Sequence, residues 1–154
     1  MLNLDFYNHT REEILKKLFE KFLKNASAVL IKEKKMDGKQ KLFVELSLVG
    51  GAAIKRINRK YRDKNQITDV ISLSYFNRVS TDAFIGEIFV CMPYATKQAQ
   101  KSGFTLNKEL QFLFIHGLLH IFGYDHKKPA DEKKMKRLEE EIFYGRGAGT
   151  WTQG

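Results

Sequence analysis

The sequence predicts a single α+β domain with about four strands and five helices. Three observations carry that expectation. A chain of 154 residues is long enough to bury one proper core. Apolar stripes at helical spacing are interspersed with short runs rich in Val, Ile, Leu and Phe, so both element types are present. No repeat, low-complexity segment or internal linker divides the chain.

The elements follow in order. Thr10-Arg11-Glu12-Glu13 reads as a capping box, in which the hydroxyl caps an exposed amide and a carboxylate reaches back. Ile14, Leu15, Leu18, Phe19, Phe22 and Ala26 form an apolar stripe behind it, which predicts a helix over about 10–26. Residues 28–35 read as a strand, Asp37-Gly38 as a hairpin turn and residues 41–49 as the returning strand. Gly50-Gly51 breaks the pattern, and Ile54, Ile57 and Tyr61 mark a short helix. Residues 69–75 and 85–91 are two further strands, the second introduced by Gly86. Pro93 opens a helix that continues to about Ser102. A long helix over about 107–122 and a last one over 129–144 complete the domain, with 145–154 as a loose tail.

Composition narrows the class. Hydrophobic residues make up 43% and charged residues 29%, the balance of a soluble globular protein. No apolar run approaches the roughly 18–20 residues of a membrane span. The first residues carry acids and lack an apolar signal core, unlike a targeting peptide. Cys91 is the only cysteine, so the chain has no disulfide partner within itself, and a cytoplasmic location is the simplest expectation. Twenty-seven Lys and Arg face eighteen Asp and Glu, a net charge of +9. Such a surplus favours polyanions such as nucleic acid, although a lysine-rich surface also serves solubility alone.

Three of the four histidines fall inside eleven residues, His116-Gly-Leu-Leu-His120-Ile-Phe-Gly123-Tyr-Asp-His126. Residues four apart share a helix face, so His116 and His120 present two imidazoles to one ion. Gly123 stands where the helix must stop, and glycine accepts the left-handed conformation that lets the chain turn and return His126. Three protein nitrogens and an open position make a catalytic zinc site rather than a closed structural one. The same donors also suit nickel or copper. The surrounding helix is apolar on nearly every side, so two unpaired imidazoles there would be costly, and a metal supplies their partner. His9 is remote and is not counted as a ligand.

The spacing is also that of zinc metalloproteases of the metzincin type, but those place a glutamate after the first histidine as general base. Here that position is Gly117, which disfavours a protease by the usual route. Asp125 is nearby in sequence, either as a base or as a carboxylate that orients a ligand histidine. A second segment, Lys55-Arg-Ile-Asn58-Arg59-Lys-Tyr61-Arg62-Asp-Lys64, holds six basic residues in ten. Lys55, Arg59, Arg62 and Lys64 are the candidate RNA contacts, with Arg62 chosen for phosphate because a guanidinium grips two oxygens. A surface salt bridge to Asp63 or another acid is the competing use of Arg62. Tyr61 either stacks on a base or continues the Ile54, Ile57 stripe, and the stripe favours a packed ring.

These residues resemble the YbeY endoribonucleases of bacterial ribosomal RNA maturation. The histidine block matches that family's hallmark. Ile57-Asn58-Arg-Lys-Tyr61-Arg62-Asp-Lys64, leading to Thr68-Asp69-Val70-Ile71-Ser72, is similar to a second signature, and Ile85-Gly86-Glu87-Ile88 to a third. The resemblance implies a zinc-hydrolase-like fold with a small mixed sheet and one zinc ion on His116, His120 and His126. It also implies single-strand-specific cleavage of RNA, in small-subunit ribosomal RNA processing and ribosome quality control. Carried over by position, Arg62 is the functional arginine near the zinc cleft and His116 the first metal ligand, the two catalytic candidates. Glu87 replaces the family's usual aspartate, and Ser72-Leu73-Ser74 stands where the family continues Ser-Phe-Pro. Two other functions compete: a metalloprotease-like zinc hydrolase, and a non-catalytic ribosome-assembly factor whose basic face binds RNA.

Overall fold

The computed structural model describes residues 1–77 and 82–145; most of the expected loose tail, 146–154, lies outside the described residues. The elements run β1 (Leu2–Asn8), α1 (Lys17–Glu20), α2 (Leu23–Lys32), β2 (Lys41–Val49), α3 (Gly51–Arg62), β3 (Val70–Ser74), β4 (Asp82–Cys91), α4 (Met92–Ser102), α5 (Leu106–Ile121) and α6 (Pro129–Tyr144). The four strands form one mixed sheet in the order β1-β2-β4-β3. β1, β2 and β4 are parallel, and β3 joins the outer side of β4 antiparallel. The α+β class and the mixed sheet therefore agree with expectation, with five longer helices and the single turn of α1.

The N-terminal third corrects the sequence reading in three places. Residues 2–8 form a strand where none was expected. Residues 28–35 are not a strand, because α2 runs through them to Lys32. Leu23, Ala26, Ser27 and Leu30 are buried at three- and four-residue spacing, and that period outweighs the β-branched content of the segment. The capping chemistry of Thr10 is real but local: its hydroxyl accepts from Glu12 N at 3.3 Å within the loop after β1, several residues before any helix. Asp37 likewise turns the chain, its Oδ1 accepting from Lys39 N at 2.8 Å. That turn joins α2 to β2 and makes no hairpin, since the neighbour of β2 on this side is the parallel strand β1.

The two sheet faces have different partners. Leu2, Leu4, Leu42, Val44, Leu46, Leu48, Ile88 and Val90 point into the main core with α1, α2, α5 and α6. Each such fully buried aliphatic contributes about 1.5–3 kcal/mol. The other face is covered at one end by α3, where Val49, Ile54, Ile71 and Cys91 form a smaller core. On α3 the inward position one turn after Ile54 belongs to Asn58, whose amide donates to Gln66 O at 2.9 Å and ties down the loop behind the helix. Tyr61 therefore does not pack, contrary to the stripe reading: it is half exposed, with the Lys60 ammonium 5.2 Å from its ring.

α5 lies unusually close to the β3–β4 pair. A Cβ on Gly117 would come within 2.8 Å of Ile88 Cγ2 and 3.0 Å of Ser72 Oγ. On β4, a Cβ on Gly86 would come within 2.7 Å of both Ile121 Cδ1 and the Leu73 carbonyl oxygen. Two serines exploit the gap: Ser72 Oγ donates to Gly117 O at 3.0 Å and Ser74 Oγ to Ile121 O at 2.7 Å. A two-residue step along the strand thus matches a four-residue step along the helix. Gly86→Ala, which must displace backbone, is expected to lose about 1–3 kcal/mol in urea unfolding. Gly38→Ala, where a Cβ meets open space, is the matched control and should stay near wild type; equal stability of the two variants would contradict the close approach.

Candidate metal centre

His116 and His120 stand one turn apart on α5, on the flank beside the glycine-lined contact. Helix capping then supplies the third imidazole. Gly123 adopts φ +94°, its N–H donates to His120 O at 3.0 Å, and Tyr124 N–H donates to Leu119 O at 3.1 Å. This paired closure is the Schellman arrangement, and it reverses the chain so that His126 comes back over the helix end. Tyr124 anchors the returning loop: its ring is flanked by the Lys35 and Lys134 ammonium groups at 5.0 and 5.9 Å, and its hydroxyl donates to Glu33 at 3.5 Å. Asp125 Oδ1 accepts from Lys127 N at 3.2 Å, a turn that shapes the loop carrying His126.

One ligand atom from each of His116, His120 and His126 lies within 4.8 Å of the others, and the three could hold a metal ion. The Nε2 atoms of His116 and His120 are 3.0 Å apart, close to the edge of a coordination tetrahedron with nitrogens at about 2.0–2.1 Å from zinc. Burial, reinforced by the neighbouring charges of His116 and His126, pushes the His120 imidazole down from 6.5 to about 4. It is therefore neutral at pH 7 with a lone pair available, as a ligand must be. The Tyr124 main-chain carbonyl accepts a hydrogen bond from the same ring and partly opposes that shift.

The other candidates divide. Arg62, the last residue of α3, comes round the free side of edge strand β3: its Nη2 approaches Ser72 O at 3.5 Å, a long contact, and its charge is felt at His120. Lys55, Arg59 and Arg62 are exposed and spaced four and three apart, so they form one basic stripe along α3 whose last member, Arg62, is within electrostatic reach of His120. Lys64 lies beyond Asp63, which takes the left-handed conformation at φ 54°, and is exposed in the following loop. Asp69 serves the backbone, accepting from Val70 N at 2.8 Å. Glu87 sits on the sheet face away from α5, where its carboxylate accepts from Tyr75 Oη at 3.0 Å. His9 follows β1 and is not part of the group.

Sequence reasoning missed Glu139. This α6 carboxylate contacts His116 Nδ1, the ring nitrogen opposite the one facing His120. Its neighbours Glu140 and Glu141 are chemically identical, so only the docking of α6 against α5 distinguishes it.

A family model described as "Endoribonuclease YbeY" matches residues 5–146. The chain belongs to the YbeY endoribonuclease family. A Ureaplasma parvum protein named Endoribonuclease YbeY is 40% identical over 109 residues, 71% of this chain and 70% of that protein. A Staphylococcus aureus protein of the same name is 34% identical over 155 residues, 96% of this chain and 97% of that one. The solution structure of TM1509 from Thermotoga maritima superposes with a TM-score of 0.57 at 26% identity, covering 93% of this chain and 91% of the other. The YbeY match spans the whole sheet from within β1, the basic stripe and the three histidines.

The depressed His120 has a thermodynamic consequence. Between about pH 6.5 and 4 the unfolded chain binds a proton there that the folded, ion-free chain refuses, so its contribution is complete above pH 6.5 and lost on acidification through that window. Ion-free His120→Asn is expected to lose less stability than wild type between pH 7 and 5 in urea titrations. Parallel losses would contradict the burial assigned to this ring.

Proposed function

We propose that the chain is a zinc-dependent, single-strand-specific endoribonuclease that processes small-subunit ribosomal RNA in the cytoplasm, with one zinc ion per chain on His116, His120 and His126. The observation that carries this reading is the meeting of three imidazoles with the end of a basic helical stripe. The relatives' name, Endoribonuclease YbeY, supports the reaction class and an RNA substrate. A ribosomal partner rests on the family resemblance, and the cytoplasmic setting on the lone, buried Cys91. Among the described residues no helix is long and apolar enough to cross a membrane.

The donor set fits a divalent ion: three neutral-capable imidazoles, one of them held neutral by burial. When bound, such an ion supplies Lewis-acid polarisation of a phosphoryl oxygen and a water nucleophile at neutral pH. The chain's own residues do the rest. His116 and His120 turn their Nε2 atoms to a common point. Arg62 holds the scissile phosphate beside that point, where a guanidinium stabilises charge that builds on the non-bridging oxygens. Lys55 and Arg59 carry the flanking backbone along α3. The exposed ring of Tyr61 offers a stacking platform for an unpaired base, which favours single strands over duplex. A protease is a poor fit, because a glutamate at position 117 would project into Ile88 and Ser72 rather than toward a substrate.

Cleavage of a labelled single-stranded RNA tests the reading. Wild type loaded with zinc is expected to cut it, and His116→Ala or a chelator to abolish cutting. Arg62→Ala should slow it by about 10²-fold. Lys55→Ala and Arg59→Ala should each reduce the slope of log affinity against log salt by about 0.7. Undiminished cleavage by both His116→Ala and Arg62→Ala would assign the activity to a contaminant. Absence of cleavage by zinc-loaded protein that still binds RNA and ribosomal subunits would favour the non-catalytic assembly factor.

A further inference from the structure

Among the described residues, Glu139 is the one carboxylate in direct contact with the histidine cluster, and neither the metal reading nor the RNA reading assigns it a task. An imidazole that gives Nε2 to a metal carries its remaining proton on Nδ1, so the partner of Nδ1 selects both tautomer and ring orientation. His116 is arranged in that way: Nε2 faces His120 at 3.0 Å, and Nδ1 faces Glu139. His120 is held differently, by the Tyr124 main-chain carbonyl.

We infer that Glu139 is the positioning residue of the centre: it accepts a hydrogen bond from His116 Nδ1–H and so locks Nε2 toward the metal. The inference rests on the proposed three-histidine zinc site. Two features separate this contact from a solvated surface pair. The Glu139 and His116 side chains are only 17% and 28% exposed, so the charge-assisted bond is partly shielded from water. The rotation of α6 is set by Met135, Leu138 and Ile142, all buried in the main core, which places the Glu139 backbone on the side of α6 from which its carboxylate reaches the ring. Glu139 also places a full negative charge behind a ligand set that is otherwise neutral, which strengthens the imidazole as a donor to a dication. Docking of α6 and metal affinity are thereby coupled through one hydrogen bond.

Zinc affinity by chelator competition, together with the d–d spectrum of the cobalt(II)-substituted full chain, tests the assignment. Glu139→Ala is expected to bind zinc about 10–100-fold more weakly. Its cobalt spectrum should change in shape and intensity, because the His116 ring is free to rotate. Glu139→Gln, whose amide oxygen still accepts from Nδ1–H, should keep a wild-type cobalt spectrum with a smaller loss of affinity. Glu140→Ala, one residue away on α6, should match wild type in both. Wild-type affinity and an unchanged spectrum in Glu139→Ala would overturn the inference. Where Glu139→Ala fails to fold by circular dichroism, Glu139→Gln against Glu140→Gln decides: weaker zinc binding in the first alone supports the role, and equal binding overturns it. Failure of the wild type itself to bind zinc would instead refute the metal centre.

Discussion

The approach of α5 to the β3–β4 pair is the contact on which the site depends. Side chains of the facing element fill the space above Gly86 and Gly117, Ile121 over the first and Ile88 and Ser72 over the second, so that a methyl group at either position would overlap them. The close approach lets Ser72 and Ser74 reach helix carbonyls, one of which, that of Ile121, lies in the last turn and has no partner within the helix. Once Gly117 and Ile121 face the sheet, the rotation of α5 is settled. His116 and His120 each precede a sheet-facing residue by one position, a turn of about 100° around the helix. Both imidazoles consequently leave α5 on the same flank, over the edge strand.

That geometry explains how elements from both sides of the sheet reach one point. β3 is an edge strand, so α3 on the opposite face can send Arg62 around it to the histidines. α6, packed on the near side, delivers Glu139 to the back of His116. The Gly123 reversal supplies His126 from the same helix end. The centre thus gathers the Arg62 cation, the Glu139 carboxylate and three imidazoles from three separate elements and one loop. Its charge ordering is sensible for a polyanion and a dication: positive along α3, neutral at His120, negative behind His116.

How much of this was legible in the sequence varies with the range of the interaction involved. The histidine block was fully legible, because helix period and a glycine stop are local rules acting within eleven residues. α4, α5 and α6 were legible to within about a residue at most ends, since Pro93, Pro129 and Gly123 punctuate them. The N-terminal third was not. Four strands were expected and four were found, but residues 28–35 were taken for one that is helical, while β1 went unseen. The Leu2-Asn3-Leu4-Asp5-Phe6 alternation does carry the period of a half-buried strand, yet its parallel partner β2 begins some forty residues later. Glu139 was illegible for a related reason: which of three adjacent glutamates meets His116 depends on how α6 docks. Tyr61 was misjudged because the inward position of α3 went to Asn58, a polar residue that earns burial by hydrogen-bonding a loop.

Zinc K-edge X-ray absorption on the zinc-loaded chain tests the central claim most directly, because it counts the ligands that the α5 geometry brings together. Three imidazole nitrogens at about 2.0–2.1 Å, with one oxygen donor completing the shell, are the expected result. A shell with two imidazoles or fewer, or with sulfur at about 2.3 Å, would contradict it and place the ion elsewhere in the molecule.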